Sequence, residues 1–561
     1  MSTASLLGPD GRELPPSRRP AGSRMALNGT SWTPHDAADV SGQHMAAWQP
    51  QMWSPDGEVN MYRDRIVSRV QDLVRNDGWA SGGVTRILDA AIGGSFRPIA
   101  KPDYRALAAY TGNNAFDVVW ATEYARAAGV AWRTWSDGPG HYCDAARKMT
   151  GSQIMRVNFR HKLVDGDALA LPLYLPDRLG PGRSHFATTI QTINPDRLSN
   201  PQQRFDSLTL RGGVEIDGYG AAAAYHIRKG YLTDYFSAGQ SVTWERITRE
   251  DAYGRPRVVH DFDVDRGGTN RGGAGILGPV VQRLKMLIKY DGTELDAAII
   301  NAIFGAYVTS PFDREMVGEA LGENASDDES GLGRYQDMRS AFHRERPAVL
   351  GSSRLPVLFP GESINTVAAN RPATNFAAFE GAVLRNVASA MGLSYEQLTQ
   401  DYSQSNYSSS RAATVELWKT MSRRRHDFGS GFASPIFGCV LEEAHDKGDL
   451  PLPTGAPAFY EYRGPYGRCH WIGPGRGWVD PTAEMSGSIM GMEAGLSTLE
   501  KEAAENVGAD WEELLDQRQI ETQAFKDRGL VMPVWSNPTP GKDAGDKPSL
   551  PKKPQTPASG G

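Results

Sequence analysis

The sequence predicts an α+β fold, with helices and strands gathered into separate stretches. Three observations carry that expectation. Apolar residues recur at helical spacing over 58–76, and 102–130 and 141–165 also read as helical. Between 169 and 250 the character changes to short β-prone runs, HFATTIQTI, AAYHIRK and SVTWERI, parted by Gly, Pro and Asn. Long helical segments return after Pro279. A block of strands set after helices is not the strand–helix alternation of a doubly wound sheet, so the class is α+β.

Taken in order, residues 1–57 are rich in Pro, Gly and Ser and lack periodicity, which predicts a poorly ordered arm. The helix over 58–76 carries Val59, Ile66, Val67, Val70, Leu73 and Val74, and Asp77-Gly78 is its expected stop. A long helix is expected over 279–307. It is apolar on more than one face, with Leu284, Leu287, Leu295, Ile299 and Ile303 among others. Such a helix must be covered on several sides, in its own core or between subunits. Residues 313–372 are rich in Gly, Pro and acidic residues, with short apolar strands at 349–350 and 355–359. Further helices are expected over 375–391, stopped by Gly392, and over 409–428. Ser497 with Glu500, and Asp510 with Glu513, each fit an N-cap with a carboxylate three positions on. The Pro-, Gly- and Lys-rich end, 533–561, reads as a disordered tail.

Composition bounds the function. A chain of 561 residues exceeds the roughly 250–300 that one core sustains, so two or more units are expected. The net charge of −6 argues against a protein that grips duplex DNA mainly by neutralising phosphates. Cys143, Cys439 and Cys469 form no C-x-x-C pair and no disulfide framework, which suits a cytosolic chain. No apolar signal core is present at the N-terminus. The longest apolar stretch, 295–308, holds Asp296 and Asn301 and is shorter than the roughly 20 residues of a membrane span. A soluble protein with no membrane partner is expected.

Active-site motifs are missing. There is no G-x-x-x-x-G-K-[ST] loop, since the lone Gly541-Lys542 pair is followed by Asp543. No G-x-S-x-G elbow and no H-E-x-x-H helix occur. The run HDFDVD would put Asp261, Asp263 and Asp265 on one face of a strand beside His260. Three such carboxylates could hold a divalent metal in a nuclease. The plainer reading is a solvated face, with Phe262 and Val264 turned inward. Arg423, Arg424 and Arg425, with Lys419 and Arg411 upstream, could contact phosphate or simply favour a helix C-terminus. GPGRGW over 473–478 reads as a turn. Trp120, Trp132 and Trp135 could stack bases, but core packing suits their helical setting better.

The stretch DYSQSNYSSSRAATVELWKTMSRRR (401–425), with GLSYEQLTQDYS (392–403) before it, resembles the hallmark segment of lambda-type portal proteins of tailed phages and prophages. Similar pieces run along the chain. They include RNDGWASGGVTRILDAAIGG (75–94), VDGDALALP (164–172), GVEIDGYGAAAAYHIRK (213–229), the long segment 271–311, LFPGESIN (358–365) and WIGPGRGWVDPTAE (471–484). Their order and spacing over roughly 58–530 make the resemblance specific.

The resemblance implies a portal fold with wing, stem, clip and crown, assembled as a ring, expected to be a dodecamer. It implies a conduit at one capsid vertex through which double-stranded DNA enters and leaves, with no enzymatic activity, no cofactor and no metal. Implied partners are other copies of the chain, DNA without sequence preference, the terminase large subunit, scaffold and major capsid proteins, and head-completion or adaptor proteins. The implied setting is the virion, after assembly in the host cytoplasm. Mapped by the resemblance, 1–57 is the arm, 58–278 the wing, 279–309 the first stem helix and 310–372 the clip. The second stem helix is 373–393, the tunnel loop 394–410, the wing return 411–495, the crown 496–532 and the tail 533–561. Gln404, Ser405, Asn406, Tyr407, Ser408 and Arg411 would face DNA. Lys419, Arg423, Arg424 and Arg425 would guide DNA or pair with neighbouring subunits. Leu284, Leu287, Leu295, Ile299 and Ile303 would pack the stem. A lining of small polar residues lets DNA slide, whereas a strongly basic lining would trap phosphates.

Overall fold

The computed structural model describes residues 38, 45, 47–231, 233, 239–303, 307–309, 338, 340–342, 344–345, 363–365, 376–403, 406–478 and 480–531. Residues 55–57, expected in the arm, instead open α1 (Pro55–Val59), capped by the Ser54 hydroxyl, which accepts from the Gly57 N–H. α2 (Arg63–Asn76) buries Val67, Val70, Leu73 and Val74, the stripe that its spacing predicts. Asp77 does more than end this helix. Its carboxylate accepts from the Ala80 N–H at 2.8 Å, so α3 (Gly78–Ala91) starts at once. After β1 (Arg97–Ala100), two helices replace the one expected over 102–130. α4 (Tyr104–Thr111) closes on Gly112 at φ +69°, and Asp117 caps α5 (Val118–Ser136). α6 (Gly151–Asp165) begins later than expected because Thr150 and Gln153 form a reciprocal capping box there.

β2 (Asp167–Tyr174) pairs with β3 (Thr188–Ile193). A separate antiparallel sheet follows in chain order: β4 (Leu210–Arg211), β5 (Val214–Ile216), β6 (Ala222–Arg228) and β7 (Trp244–Thr248). β8 (Val259–Phe262) then returns to the free side of β2. The three β-prone runs supply β3, β6 and β7. β2 is covered on both faces. Ala168 and Ala170 face the main helical core, while Leu169 and Leu171 face a smaller core with Ile193, Val214, Tyr225 and Ile227. That is why ALALP reads as a continuous apolar run rather than an alternating one.

α7 (Val281–Ile303) packs against α2 and against α8 (Phe376–Met391). Leu284 and Leu287 are buried there, but Leu295 is 65% exposed. The side chains of Ile299 and Ile303 lie outside the described residues. Of the expected clip, β9 (Tyr307–Thr309) and β10 (Ser363–Asn365) pair antiparallel, and the strands expected at 349–350 and 355–359 lie outside the described residues, as does the tail from 533. α9 (Tyr395–Thr399) and α10 (Tyr407–Phe428) follow. The chain then continues through a π-helical turn (Gly429–Ala433) into α11 (Ser434–Lys447). Pro435 accounts for the wide turn: it has no N–H to donate, and its ring would clash with the carbonyl four residues back. α12 (Arg463–Gly467) precedes β11 (Cys469–Ile472), which pairs with β1.

The C-terminal region holds α13 (Pro481–Glu493), α14 (Leu499–Glu502), a second π turn (Ala503–Val507) and α15 (Trp511–Asp527). α13 carries no apolar stripe to foretell it. Asp510 caps α15 as expected. Thr498, not Ser497, caps α14, and the Ser497 hydroxyl donates to Glu502 instead. Trp120, Trp132 and Trp135 are core residues. The Trp135 indole N–H donates to the Thr188 carbonyl at 2.8 Å, and Trp132 meets Trp471 edge-on at 5.5 Å. The three cysteines are free thiols. No helix among the described residues is long and apolar enough to cross a membrane.

Candidate nucleic-acid interface

The polar segment 394–410 is not one loop. α8 ends in a Schellman motif: Gly392 takes φ +73°, its N–H donates to Ser389, and the Leu393 N–H donates to Ala388. Ser394 then caps α9 with Gln397 as its capping-box partner. Leu398 of α9 and Met391 of α8 close on α3 at Gly83, where a Cβ would sit 2.7 Å from the Met391 sulfur. Gln400, in the left-handed region at φ +59°, ends α9. The segment between the two helices is therefore 400–406, and in its described part Asp401 accepts from the Ser403 N–H. Gln404 and Ser405 lie outside the described residues, as does the Tyr407 side chain. Asn406 is exposed and caps α10, its side chain accepting from the Ser409 N–H at 2.8 Å. Hydrogen bonds thus hold the chain on each side of this segment, at Asp401 and at Asn406, and the preceding Leu398 is buried.

α10 presents an exposed stripe of Ser408, Ala412, Val415, Lys419 and Arg423. Its cations are cancelled within the helix. Lys419 pairs with Glu416 and Arg423 with Asp427, each at 2.8 Å. Arg411, beside the stripe, is exposed and makes no ion pair among the described residues. Arg424 and Arg425, expected to guide DNA or pair with neighbouring subunits, point the other way, into the protein. Arg424 is half-buried and donates to the Met391 carbonyl at 3.1 Å. Arg425 is buried over the Trp418 ring. It donates to the carbonyls of Ala91 (2.8 Å), Ala90 (3.2 Å) and Pro474 (3.0 Å). Burial pulls its guanidinium down to about 10, so it stays charged at neutral pH. Arg425 thus closes the C-terminus of α3, whose last carbonyls lack helical partners. The alternative expectation, cations at a helix C-terminus, also shifts, because the chain runs on through the π turn into α11. GPGRGW, expected as a turn, is an irregular segment without a hydrogen-bonded turn, and it joins this clasp through Pro474.

The carboxylate run at 261–265 is not a metal cradle, and neither is it a solvated strand face. β8 stops at Phe262, and Val264 is exposed rather than inward. Asp261 is buried and its carboxylate accepts from the Lys162 ammonium at 2.9 Å, with Asp263 at 3.1 Å from the same nitrogen. Burial pushes the Asp261 carboxyl up to about 6 against the pull of Lys162. No cluster among the described residues has the ligand geometry for a metal ion.

A constellation that sequence reasoning missed lies beside it. Asp167 is fully buried and accepts from Arg63 (2.8 Å), Arg271 (3.1 Å), His260 (3.0 Å) and the Gly272 N–H (2.6 Å). Burial alone would push this carboxyl up. Arg63, His260 and Arg271 more than reverse that and hold it well below the usual carboxylate range. One group thereby ties α2, β2, β8 and the 271–272 segment together. A signal was present: glycines sit beside Asp167 and beside Arg271, and a Cβ on Gly272 would lie 2.0 Å from the Gly166 carbonyl oxygen.

Comparison with known proteins follows the same lines. The family model described as "Phage portal protein, lambda family" matches residues 41–425. The chain is 31% identical over 538 residues to the portal protein of Escherichia phage N15, covering 96% of each. It is also 31% identical over 535 residues to portal protein B of Escherichia phage lambda, covering 95% of each. Among solved structures it is similar to a chain of the virion of a native gene transfer agent particle. There the TM-score is 0.38 at 13% identity, over 75% of this chain and 98% of that one.

Proposed function

The chain belongs to the lambda family of phage portal proteins, and from that premise we propose that it forms the ring at a capsid vertex through which double-stranded DNA is packaged and ejected. It acts there as a conduit and not as an enzyme. The observation that carries the reading is the outward face of α10: Ser408, Ala412 and Val415 carry no charge, and Lys419 and Arg423 are already paired to Glu416 and Asp427. Such a face gives DNA many weak contacts and little phosphate grip, which suits sliding. In this reading α7 and α8 are the stem helices, 310–372 the clip, the 400–406 segment and Arg411 the channel-facing part, and the helices after 496 the crown. Met286 and Leu295, 64% and 65% exposed on α7, suit packing between subunits. The terminase large subunit, scaffold, major capsid and head-completion or adaptor proteins would dock on the ring, as the family implies.

Imaging the purified protein in negative stain should show a closed ring of about twelve protomers, as the family implies. A stable monomer that cuts DNA with Mg²⁺ would overturn the portal reading. Replacing Asn406, Tyr407 and Arg411 together with alanine should leave ring assembly intact and depress DNA packaging. The cap lost at Asn406 costs about 1 kcal/mol, too little to unfold the chain. Loss of the ring instead would move these residues to a subunit interface.

A further inference from the structure

A second cationic surface lies away from α10 and is already occupied by the chain itself. A groove of about 600 Å³ runs between β1, α5 and the start of α15, and Arg97, Lys101, Arg126, Arg133 and Arg468 line or border it. Four of these five cations are neutralised by carboxylates from one C-terminal segment. Glu513 takes Arg97 and Arg133, each at 2.8 Å, Glu512 takes Arg126 at 3.0 Å, and Glu500 takes Lys101 at 2.6 Å. Arg468 pairs with Asp103. The geometry points to a polyanion-binding groove covered by its own acidic helix, whose carboxylates stand where phosphates would.

Three features say that the cover can leave. All four pairs are open to solvent on at least one side, their side chains 28–66% accessible, so each holds weakly and fades with salt. α15 is lightly held: Trp511, Glu512 and Glu513 of its first turn are half-buried, 514–520 are all exposed, 521, 522, 524 and 525 are half-buried again, and no residue of the helix is fully buried. The C-terminal helices have a separate dry anchor that does not involve the groove. Ala503 and Asn506 are buried in the second π turn, where a Cβ on Gly475 would lie 2.4 Å from the Asn506 carbonyl. The segment can therefore let go of the groove while staying attached at this pivot. Arginine forks accept phosphate as readily as carboxylate, and Arg126 and Arg133 lie two turns apart on α5, roughly 10 Å along its axis. In a protein that handles DNA the polyanion is the nucleic-acid backbone, and in that respect the inference rests on the portal reading.

The test uses the full chain and a duplex of about 20 base pairs. E500Q/E512Q/E513Q should bind the duplex about tenfold more tightly than the parent near 0.1 M salt. Its log–log salt slope should steepen by about three to four, the count of released cations. Adding R126Q and R133Q should remove most of the gain. D265N/D446N/E493Q, which lifts the same charge at exposed sites off α15, should bind like the parent. On the parent protein, raising salt from about 0.05 to 0.5 M should speed amide exchange over 511–527 and leave α5 unchanged. Equal duplex binding by the parent and E500Q/E512Q/E513Q would overturn the proposal, as would an equal gain from the control variant or salt-independent exchange in α15. Ring formation is scored separately by imaging, so a ring that fails here leaves the portal reading standing.

Discussion

Replacing Asp167 with alanine is expected to lower unfolding stability by about 3–5 kcal/mol, the usual cost of removing one partner from a buried ion pair. The substitution strands Arg63 and Arg271, both buried, and takes the acceptor from His260 and the Gly272 N–H. A pair of opposite charges replaced together by apolar groups can be neutral, but one charge removed from three cannot. Denaturant unfolding should show a large drop in midpoint at unchanged slope. The pH dependence has a definite sign. The folded-state pKa of Asp167 lies below its unfolded value, so its contribution is complete above about pH 4 and is lost as pH falls further toward the depressed value. Asp167→Asn should therefore be destabilised at neutral pH and show a flatter acid limb than the parent. An unchanged midpoint for both variants would mean that the knot does not hold α2, β2 and β8 together.

What could be read from the sequence follows from where each signal resides. α2, α8 and the stop at Gly392 were legible because a 3.6-residue stripe and a left-handed glycine are local features. α3 was hidden because Asp77-Gly78 is both an end and a beginning: the same carboxylate that follows α2 caps the next helix. The helices that bound this polar segment were hidden because Ser394 and Asn406 look like loop residues until their partners, Gln397 and Ser409, are seen three positions on. Charged residues were the least legible. Composition cannot say whether an aspartate meets water or Lys162, so Asp261 was assigned to the wrong side of its strand. Position could have said more. Met421, Arg425 and Phe428 fall on one helical face at i, i+4 and i+7, and both flanking residues are buried. Arg423 lies on the far side, roughly 200° away at about 100° per residue, so the triple-arginine run was always divided between solvent and core.

That division sets the second large effect. Arg425→Ala should cost about 3–5 kcal/mol, whereas Arg411→Ala should change stability by less than about 0.5 kcal/mol. Arg425 supplies donors to three carbonyls on two different segments, and its removal leaves the end of α3 and the Pro474 segment without partners in a site closed to water. Each stranded acceptor costs about 1–3 kcal/mol, with some relief from relaxation. Arg425→Lys should recover only part of the loss, since one ammonium cannot reproduce a planar fork that sends Nε to Ala91 and one terminal nitrogen to both Ala90 and Pro474. The site also has no slack. A Cβ on Gly473 would lie 2.6 Å from the Arg425 Nε, so the segment and the guanidinium fit only in this register. Denaturant midpoints of the three variants, set beside packaging yield per assembled ring, separate the two roles. Arg425 variants should lose stability and ring yield together, and the rings that form should package normally. Arg411→Ala should keep its midpoint and its rings and lose packaging. A stable Arg425→Ala that forms rings but fails to package would return this residue to the DNA-facing surface and sink the clasp between α10, the end of α3 and Pro474.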